Sequence, residues 1–295
     1  MTTTTGLITT SFGRQYIVST NNGNTYQTVS KGKNTEFVVG DKVDINVINS
    51  EQAQITHLYP RNNLIYRSDQ NRSKMIASNI NQLMIVIAIK PTFNINFLNS
   101  CLVAADAENI QPIIILNKSD LPESSEFINK IVDLYHDKLG YQIEIHSSNK
   151  HNENLTQLIQ NSRSLLIGQS GVGKSTITNW LFPNANARIG DIAKYENSGK
   201  HTTTNATLYI LDEQTELIDC PGLQEFGLFH IDITVLAEYF PEMREHLGQC
   251  KFNNCVHLSE PQCKIVELVN EGKIEQSRYI FYKNLCSRLK TKKSY

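Results

Sequence analysis

One eight-residue segment restricts the folds open to this 295-residue chain more than any other feature of its sequence. It fits G-x-x-x-x-G-K-S, a pattern in which glycines let backbone amides converge on phosphate groups. An apolar stretch at 164–167 precedes it and a helical pattern at 174–181 follows it, as in a phosphate-binding loop; a glycine-rich turn with a chance Lys-Ser pair needs neither flank. The residues predicted to hold phosphates are Gly168, Gln169, Ser170, Gly171, Val172, Gly173, Lys174, Ser175 and Thr176.

Magnesium and catalytic roles are predicted for a few residues in and beyond this loop. Lys174 is expected to neutralise the β- and γ-phosphates during hydrolysis, and Ser175 to ligate Mg²⁺. Asp219-Cys220-Pro221-Gly222 follows an apolar strand pattern. There Asp219 is expected to hold Mg²⁺ through water, and the Gly222 amide to sense the γ-phosphate.

A polar stretch at 199–204 contains three threonines between the phosphate loop and the next predicted strand. A threonine there, assigned as Thr203, is predicted to complete the Mg²⁺ shell and to order the segment when a triphosphate is bound. A plain threonine-rich loop is the alternative.

The nucleotide base is predicted to be guanine from a second motif, Asn117-Lys118-Ser119-Asp120, which ends an apolar strand pattern. The Asp120 carboxylate can accept hydrogen bonds from both N1–H and N2–H₂ of guanine, whereas adenine would leave it unpaired. Asn117 is expected to bind the base edge and Lys118 to pack along the ring. Four letters alone also describe a solvated turn, and the complete phosphate loop is what favours a guanine site.

The order of these motifs is the reverse of that in ordinary small GTPases, because the guanine motif at 117–120 precedes the phosphate loop. Between them, Ser147 and Ser148 fit the loop that backs the guanine. Strand and helix patterns alternate across 71–228, which indicates an α/β fold with a parallel sheet covered on both faces. The sequence therefore predicts a circularly permuted P-loop GTPase.

The regions on either side of this predicted domain have different residue patterns. Residues 1–70 contain short β-branched runs separated by turn signals, a pattern typical of an all-β barrel or sandwich. The basic tract at 61–74 is predicted to be a linker. Residues 229–295 are predicted to be mostly helical, ending in a helix with Ile274, Ser277, Phe281, Leu285 and Leu289 on one face.

Three cysteines and a histidine form the pattern C-x₄-C-x-H-x₅-C in this C-terminal part. Three thiolates and one imidazole complete a tetrahedral Zn²⁺ shell with no open position, which predicts one structural zinc ion. Free buried cysteines are the alternative, because the spacing is not that of a common finger. The predicted ligands are Cys250, Cys255, His257 and Cys263.

The chain resembles the RsgA (YjeQ) family of bacterial ribosome-assembly GTPases over essentially its whole length. The resemblance rests on the motif order, Gly199–Thr204, the continuation of Asp219–Gly222 into Glu225-Phe226-Gly227, and the cysteine pattern with Glu260-Pro261. It implies an N-terminal OB-fold that binds RNA at 1–70, the permuted GTPase domain at 71–228 and a zinc-binding domain at 229–295. It also implies binding to the small (30S) ribosomal subunit and its rRNA late in maturation, near the decoding region. There the subunit would stimulate hydrolysis of GTP to GDP and phosphate, and hydrolysis would accompany release.

Two positions distinguish the chain from other GTPases. Leu223 stands where Ras-like proteins carry a water-orienting glutamine, so intrinsic hydrolysis is expected to be slow. The resemblance makes His201 the internal substitute, although a solvated loop histidine is the alternative. Gly171 stands where potassium-dependent relatives place asparagine, so no potassium activation is expected.

Charge is distributed unevenly along the chain, although the total is only −1. Residues 1–75 carry +3, residues 76–230 carry −6 and residues 231–295 carry +2. The last 18 residues, from Arg278, contain six basic residues and no acidic one, which fits either an rRNA contact or a solvated helix end.

The longest apolar run, Leu83–Ile89, has seven residues, too few to span a membrane, and no signal-peptide pattern is present. A cytoplasmic monomer without a membrane partner is therefore expected. A GTPase acting on tRNA or another RNA, and a module in which nucleotide only controls RNA affinity, are the rival functions.

Overall fold

The N-terminal strands close into a barrel in the computed structural model, which describes residues 2–13, 15–30, 37–68, 73–147, 153–183, 206–220 and 228–291. The strands pair in the order β1-β2-β3-β5-β4, and β4 pairs back with β1. Only β3 and β5 run parallel. Alternating apolar residues fill the interior, including Ile8, Val18, Val43, Ile45 and Ile55. This is the five-stranded barrel of an OB-fold. The strands are β1 (Thr3–Phe12), β2 (Gln15–Thr20), β3 (Thr25–Ser30), β4 (Lys42–Val47) and β5 (Gln52–Leu58).

The tract predicted to be a linker instead forms an antiparallel hairpin of β6 (Leu64–Ser68) and β7 (Ser73–Ser78). A buried carboxylate, Asp41, attaches this region to the barrel. Its oxygens accept hydrogen bonds from Arg61 Nε (2.7 Å), Arg61 Nη2 (2.8 Å) and Ser78 Oγ (2.6 Å). The linker prediction was wrong because the tract lacks long apolar runs and is held by these polar contacts.

The central part is a mostly parallel sheet in the order β10-β9-β8-β11-β13-β12, with only β12 antiparallel to its neighbour β13. These strands match the apolar runs in the sequence, because a strand covered on both faces needs apolar side chains throughout. They are β8 (Gln82–Ile87), β9 (Gln111–Leu116), β10 (Gln142–Ile145), β11 (Arg163–Gly168), β12 (Thr207–Ile210) and β13 (Glu216–Asp219).

Helices cover both faces of this sheet. Alternate residues of β8 separate into two cores: Leu83, Ile85 and Ile87 pack on the α1 side, and Met84 and Val86 on the α3 and α4 side. The described helices are α1 (Ile95–Ala107), α2 (Ser124–Ile131), which continues as a π-helical segment (Val132–Lys138), α3 (Glu153–Ile159) and α4 (Lys174–Leu181).

The barrel and the central sheet join into one eleven-stranded sheet, because β1 pairs with β12 through Thr10 and Thr207. β12 lies at the end of the central sheet. The barrel therefore continues the sheet at the strand that precedes β13 and Asp219.

The C-terminal part is helical, as predicted, and packs on the same side of the sheet as α1. Its last helix buries Tyr282, Leu285 and Leu289, but Ser277 is exposed and Arg278 is fully buried. Arg278 therefore does not belong to an exposed basic tail. The elements are a 3₁₀ turn (Leu236–Tyr239), α5 (Pro241–Arg244), α6 (Lys264–Asn270) and α7 (Gln276–Lys290). Among the described residues, no helix combines the length and apolar character needed to cross a membrane.

Candidate functional site

The predicted phosphate loop connects β11 to α4 at the edge of the sheet where the parallel strands end. The loop packs so closely on neighbouring strands that side chains are excluded at two glycines. A Cβ at Gly168 would lie closer than 3.0 Å to the Val86 carbonyl oxygen, and one at Gly173 equally close to Asn117 Nδ2. Gly173 also has φ of 101°, in the left-handed region that favours glycine. Along the loop Val172 and Lys174 are buried, while Ser170, Gly171, Ser175 and Thr176 are exposed.

Lys174 begins α4 and folds back over the loop. Its Nζ donates to the carbonyl oxygens of Gly168 (2.8 Å) and Gln169 (3.1 Å). Burial lowers the pKa of Lys174, while the nearby Asp219 carboxylate opposes that shift. The ammonium group is therefore desolvated and held at the phosphate loop, where an anionic ligand would stabilise its charge.

Asp219 ends β13 beside α4, on the opposite side of the loop from the guanine motif. Its Oδ2 accepts a hydrogen bond from Thr178 Oγ1 at 3.2 Å. Burial raises the pKa of Asp219 to about 6, although Lys174 and the Thr178 hydroxyl both lower it. The Asp219 carboxylate is buried beside α4, and Ser175 of that helix is exposed. Oxygen atoms of this kind are the ligands that Mg²⁺ prefers. The other residues predicted on this side, Thr203 and Gly222, lie outside the described residues, as does His201.

This raised pKa predicts an acid limit to activity. Below about pH 6 the Asp219 carboxyl is protonated in the free protein and uncharged, so it loses its attraction for a divalent cation. We expect kcat/KM for magnesium-GTP to fall by about tenfold per pH unit below that point, because this ratio reports ionisations of the free enzyme. A steady-state pH profile from pH 5 to 8 checks this. Asp219→Asn should be weakly active with no inflection near pH 6; an unchanged inflection in that variant would assign it to another group.

The guanine motif is fastened to the phosphate loop by side-chain contacts. Asn117 Nδ2 donates to the Val172 carbonyl oxygen at 2.8 Å, and Lys118 Nζ donates to the Gly171 carbonyl oxygen at 2.6 Å. Asn117 Oδ1 is buried and has no hydrogen-bond partner among the residues that the structure describes. A bound molecule with a hydrogen-bond donor would satisfy this acceptor, which lies between the two motifs.

The Asp120 carboxylate, predicted to bind the base, is held by the loop after β10. Ser147 Oγ donates to Asp120 Oδ1 at 2.7 Å, and the Ser119 amide donates to the His146 carbonyl oxygen at 3.2 Å. The structure thus brings Ser147 to Asp120 as the sequence predicts, while Ser148 lies outside the described residues. These contacts hold Asp120 and Ser119 against the loop after β10, at the edge of the sheet where the parallel strands end.

The four predicted zinc ligands lie together in the C-terminal part. Their ligand atoms are all within 4.8 Å of one another. The Sγ atoms of Cys250 and Cys263 are 3.8 Å apart, and each lies 3.5 Å from His257 Nδ1. A tetrahedron with Zn–S of about 2.3 Å and Zn–N of about 2.0 Å has S–S and S–N edges of about 3.8 and about 3.5 Å. The donor set and its spacing therefore fit Zn²⁺, with Cys255 as the fourth ligand.

Backbone hydrogen bonds hold this cluster in place. The Glu260 carboxylate accepts bonds from the amides of Val256 (3.2 Å), Leu258 (2.8 Å) and Ser259 (3.1 Å). On α7, Tyr282 donates its hydroxyl to the Val256 carbonyl oxygen at 2.8 Å. The ligand loop is thus attached to the last helix, and a metal ion there would stabilise both.

We expect one zinc ion per chain by elemental analysis of protein purified without chelators. Cys263→Ser should lose the zinc and lower the melting temperature by about 5 °C or more, because a structural zinc contributes folding energy directly. Cys286→Ser, which changes a buried cysteine of α7 outside the cluster, should keep one zinc. Absence of zinc from the wild-type protein would refute the site.

Sequence reasoning missed one segment that touches the site and one buried network beyond it. The β8–α1 segment contacts both nucleotide motifs, since the Lys90 carbonyl oxygen accepts a hydrogen bond from Lys118 Nζ at 3.0 Å. Arg278 and its buried partners join α7 to α1. Neither group of residues belongs to a sequence motif. The one signal in the sequence is that Arg278 has apolar neighbours on its helix, which indicates a buried face.

Known proteins share this architecture. A model of the RsgA GTPase family matches residues 58–229. The small ribosomal subunit biogenesis GTPase RsgA of Neisseria gonorrhoeae is 41% identical over 285 residues, 97% of this chain and 92% of that protein. The crystal structure of YjeQ from Thermotoga maritima is similar with a TM-score of 0.73 at 25% identity, covering 98% of this chain and 99% of that one. YloQ, a circularly permuted GTPase, has a TM-score of 0.72 at 25% identity, covering 100% of this chain and 97% of that one. The resemblance seen in the motifs is thereby confirmed, and this chain belongs to the RsgA family of circularly permuted GTPases.

Proposed function

We propose that this chain is a GTP-hydrolysing assembly factor of the small (30S) ribosomal subunit, which binds the subunit and its rRNA late in maturation and leaves after hydrolysis. The observation that carries the proposal is the direct bonding of the guanine motif to the phosphate loop, through Asn117 and Val172 and through Lys118 and Gly171. The proposed partner is supported by the name of the Neisseria gonorrhoeae relative, a small ribosomal subunit biogenesis GTPase.

In the proposed site Asp120 binds N1–H and N2–H₂ of guanine, and the phosphate loop binds the phosphates. Lys174 exchanges its two carbonyl acceptors for phosphate oxygens and so neutralises charge that grows at the γ-phosphate as water attacks in line. Ser175, Asp219 and Thr203 are the proposed Mg²⁺ ligands. When bound, Mg²⁺ would supply positive charge that stabilises the phosphates.

Water positioning is the step for which the chain is least equipped. Leu223 replaces the glutamine of Ras-like proteins, and its apolar side chain can neither accept nor donate a hydrogen bond to water. We assign this role to His201, with the ribosomal subunit holding the polar stretch at 199–204 in place. Slow intrinsic hydrolysis that accelerates on the subunit is the consequence.

The two flanks are proposed to make the RNA contacts, with domain boundaries at 1–70, 71–228 and 229–295. Lys42 is exposed on the barrel, where its ammonium lies 5.0 Å from the centre of the Tyr59 ring. Lys283, Arg288 and Lys290 are exposed along α7. Basic groups of this kind neutralise phosphates without reading sequence. The chain would act as a monomer in the cytoplasm, with one zinc ion in its C-terminal domain.

The deciding experiment is a comparison of GTP hydrolysis with purified small subunits, large subunits and tRNA at equal concentration and fixed salt. We expect stimulation by small subunits alone. Equal stimulation by tRNA would favour the rival RNA-directed GTPase. If no RNA changes turnover but GTP changes RNA affinity, the chain is a nucleotide-controlled binding module and the proposal is wrong.

A further inference from the structure

A buried ionic network lies between the C-terminal helices and the central sheet. Arg278 of α7, none of whose surface is exposed, donates through Nε and Nη2 to the two carboxylate oxygens of Glu242 on α5, at 2.8 and 3.2 Å. Its Nη1 donates to Asn99 Oδ1 on α1 at 2.8 Å. The same oxygen accepts a hydrogen bond from Tyr135 of the π-helical segment at 2.7 Å. The guanidinium also lies 4.9 Å from the centre of the Phe240 ring.

The partners in this network divide into two groups. Arg278 and Glu242 belong to the C-terminal part, whereas Asn99 and Tyr135 belong to helices of the central sheet. Glu242 balances the charge of Arg278, but the Nη1 donor is satisfied across the boundary by Asn99. Separating the two parts would break the bond from Arg278 Nη1 to Asn99, whereas the bond from Tyr135 to Asn99 lies within the central part and would remain. Losing a buried, charge-assisted hydrogen bond is costly. The network therefore favours one docked arrangement.

The docking point lies near the end of α1 that faces the nucleotide motifs. α1 is capped by Asn94, whose Oδ1 accepts hydrogen bonds from the amides of Asn96 (3.0 Å) and Phe97 (3.3 Å). Asn99 is five residues beyond the cap, about 7 Å along the helix axis. A shift of α1 at Asn99 would thus move the segment that precedes the cap.

That segment touches both nucleotide motifs. The Lys90 carbonyl oxygen accepts a hydrogen bond from Lys118 Nζ, which also bonds Gly171. A Cβ built at Gly171 would lie 3.7 Å from Pro91 Cδ, so the proline packs beside the phosphate loop. Phe93 packs edge-on against Phe127 of α2 at 5.2 Å between ring centres. Contacts are therefore continuous from Arg278 through α1 to the guanine pocket.

We propose that Arg278 and Asn99 are positioning residues that link docking of the C-terminal part to guanine-nucleotide binding, each favouring the other. The inference rests on the nucleotide site proposed above. Linkage requires the coupling to be reciprocal: docking strengthens nucleotide affinity, and nucleotide strengthens docking by the same factor.

The test uses full-length zinc-loaded protein and two equilibrium measurements. Asn99→Leu removes the shared acceptor at nearly constant volume and should weaken GDP affinity by about fivefold or more. In the wild-type protein, saturating GDP should raise hydrogen-exchange protection of the α7 backbone amides, and in Asn99→Leu this increase should disappear. Asn99→Asp keeps an acceptor oxygen for both Arg278 and Tyr135 and should restore both effects.

Asp106→Asn is the matched control. Asp106 pairs with Arg244 between the same two parts, but at the partly exposed far end of α1, about 10 Å beyond Asn99. It should leave GDP affinity and α7 protection unchanged. If Asn99→Leu fails to fold, Tyr135→Phe removes one hydrogen bond to the same oxygen and should show the same effects at smaller size.

The outcomes separate this inference from the proposed function. The linkage is wrong if Asn99→Leu binds GDP as tightly as the wild-type protein does. It is also wrong if GDP leaves α7 protection unchanged in the wild-type protein. Either result would leave the nucleotide site intact. Failure of the wild-type protein to bind GDP would remove the nucleotide site itself, and the linkage with it.

Discussion

Asp120→Asn should reduce GTP and GDP affinity by about a thousandfold or more and create affinity for xanthine nucleotides. Guanine offers two donors, N1–H and N2–H₂, and a carboxamide would place its own NH₂ group against one of them. Xanthine carries a carbonyl oxygen in place of the N2 amino group, so the carboxamide can donate to that oxygen and accept from N1–H. Buried mismatches of this kind discriminate by about 10⁴-fold.

Competition binding with GDP, XDP and ADP on the wild-type and variant proteins measures this exchange. The Ser147 hydroxyl can still donate to the retained carbonyl oxygen of the variant, so the loop should stay in place. Glu123→Gln, a change in an exposed carboxylate three residues away, is the control and should keep guanine preference. Unaltered GDP affinity in Asp120→Asn would exclude Asp120 from the base pocket.

Gly173→Ala should weaken nucleotide binding by about a hundredfold or more. The alanine would occupy a left-handed conformation at a cost of about 1–2 kcal/mol. Its Cβ would also come closer than 3.0 Å to Asn117 Nδ2, and displacing that group would break its hydrogen bond to Val172, a loss of about 1–3 kcal/mol. The loop would relieve these two costs, about 2–5 kcal/mol together, by leaving this conformation, which is a factor of about 30 to 5,000 in the fraction of protein able to bind.

Gly140→Ala is the control variant, because it introduces backbone strain without a close contact of the new Cβ. Gly140 also has a positive φ, 75°, but a Cβ there meets no atom within 4 Å. This variant should lose stability in thermal unfolding while keeping wild-type affinity for GDP. If both variants bind GDP equally well, the close approach of the phosphate loop to Asn117 is unimportant for binding.

Most of the strands and the phosphate loop could be predicted because each depends on local pattern. The apolar run of β8 and the helix beginning at Lys174 are both encoded within a few residues. The cluster of predicted zinc ligands could also be found from the sequence, because a metal needs specific side chains at close spacing. These features require no knowledge of what lies across the fold.

The features that were not predicted depend on contacts between distant residues. The hairpin of β6 and β7 is held partly by Asp41, which lies about 20 residues before Arg61 in the chain. Arg278 looked like one member of a basic tail because its acceptors, Glu242 and Asn99, lie far away in sequence. The bond from Asn117 to Val172 likewise spans 55 residues, so the motifs were recognisable but their junction was not.

The pairing of β1 with β12 has a consequence for how this protein can be divided. In a piece that begins after the barrel, the backbone amides and carbonyls of β12 that face β1 would be left open to solvent. Such an edge accepts strands from other molecules, and β12 contains the apolar residues Leu208, Tyr209 and Ile210. Removing the barrel would therefore expose this edge of the central sheet and promote self-association.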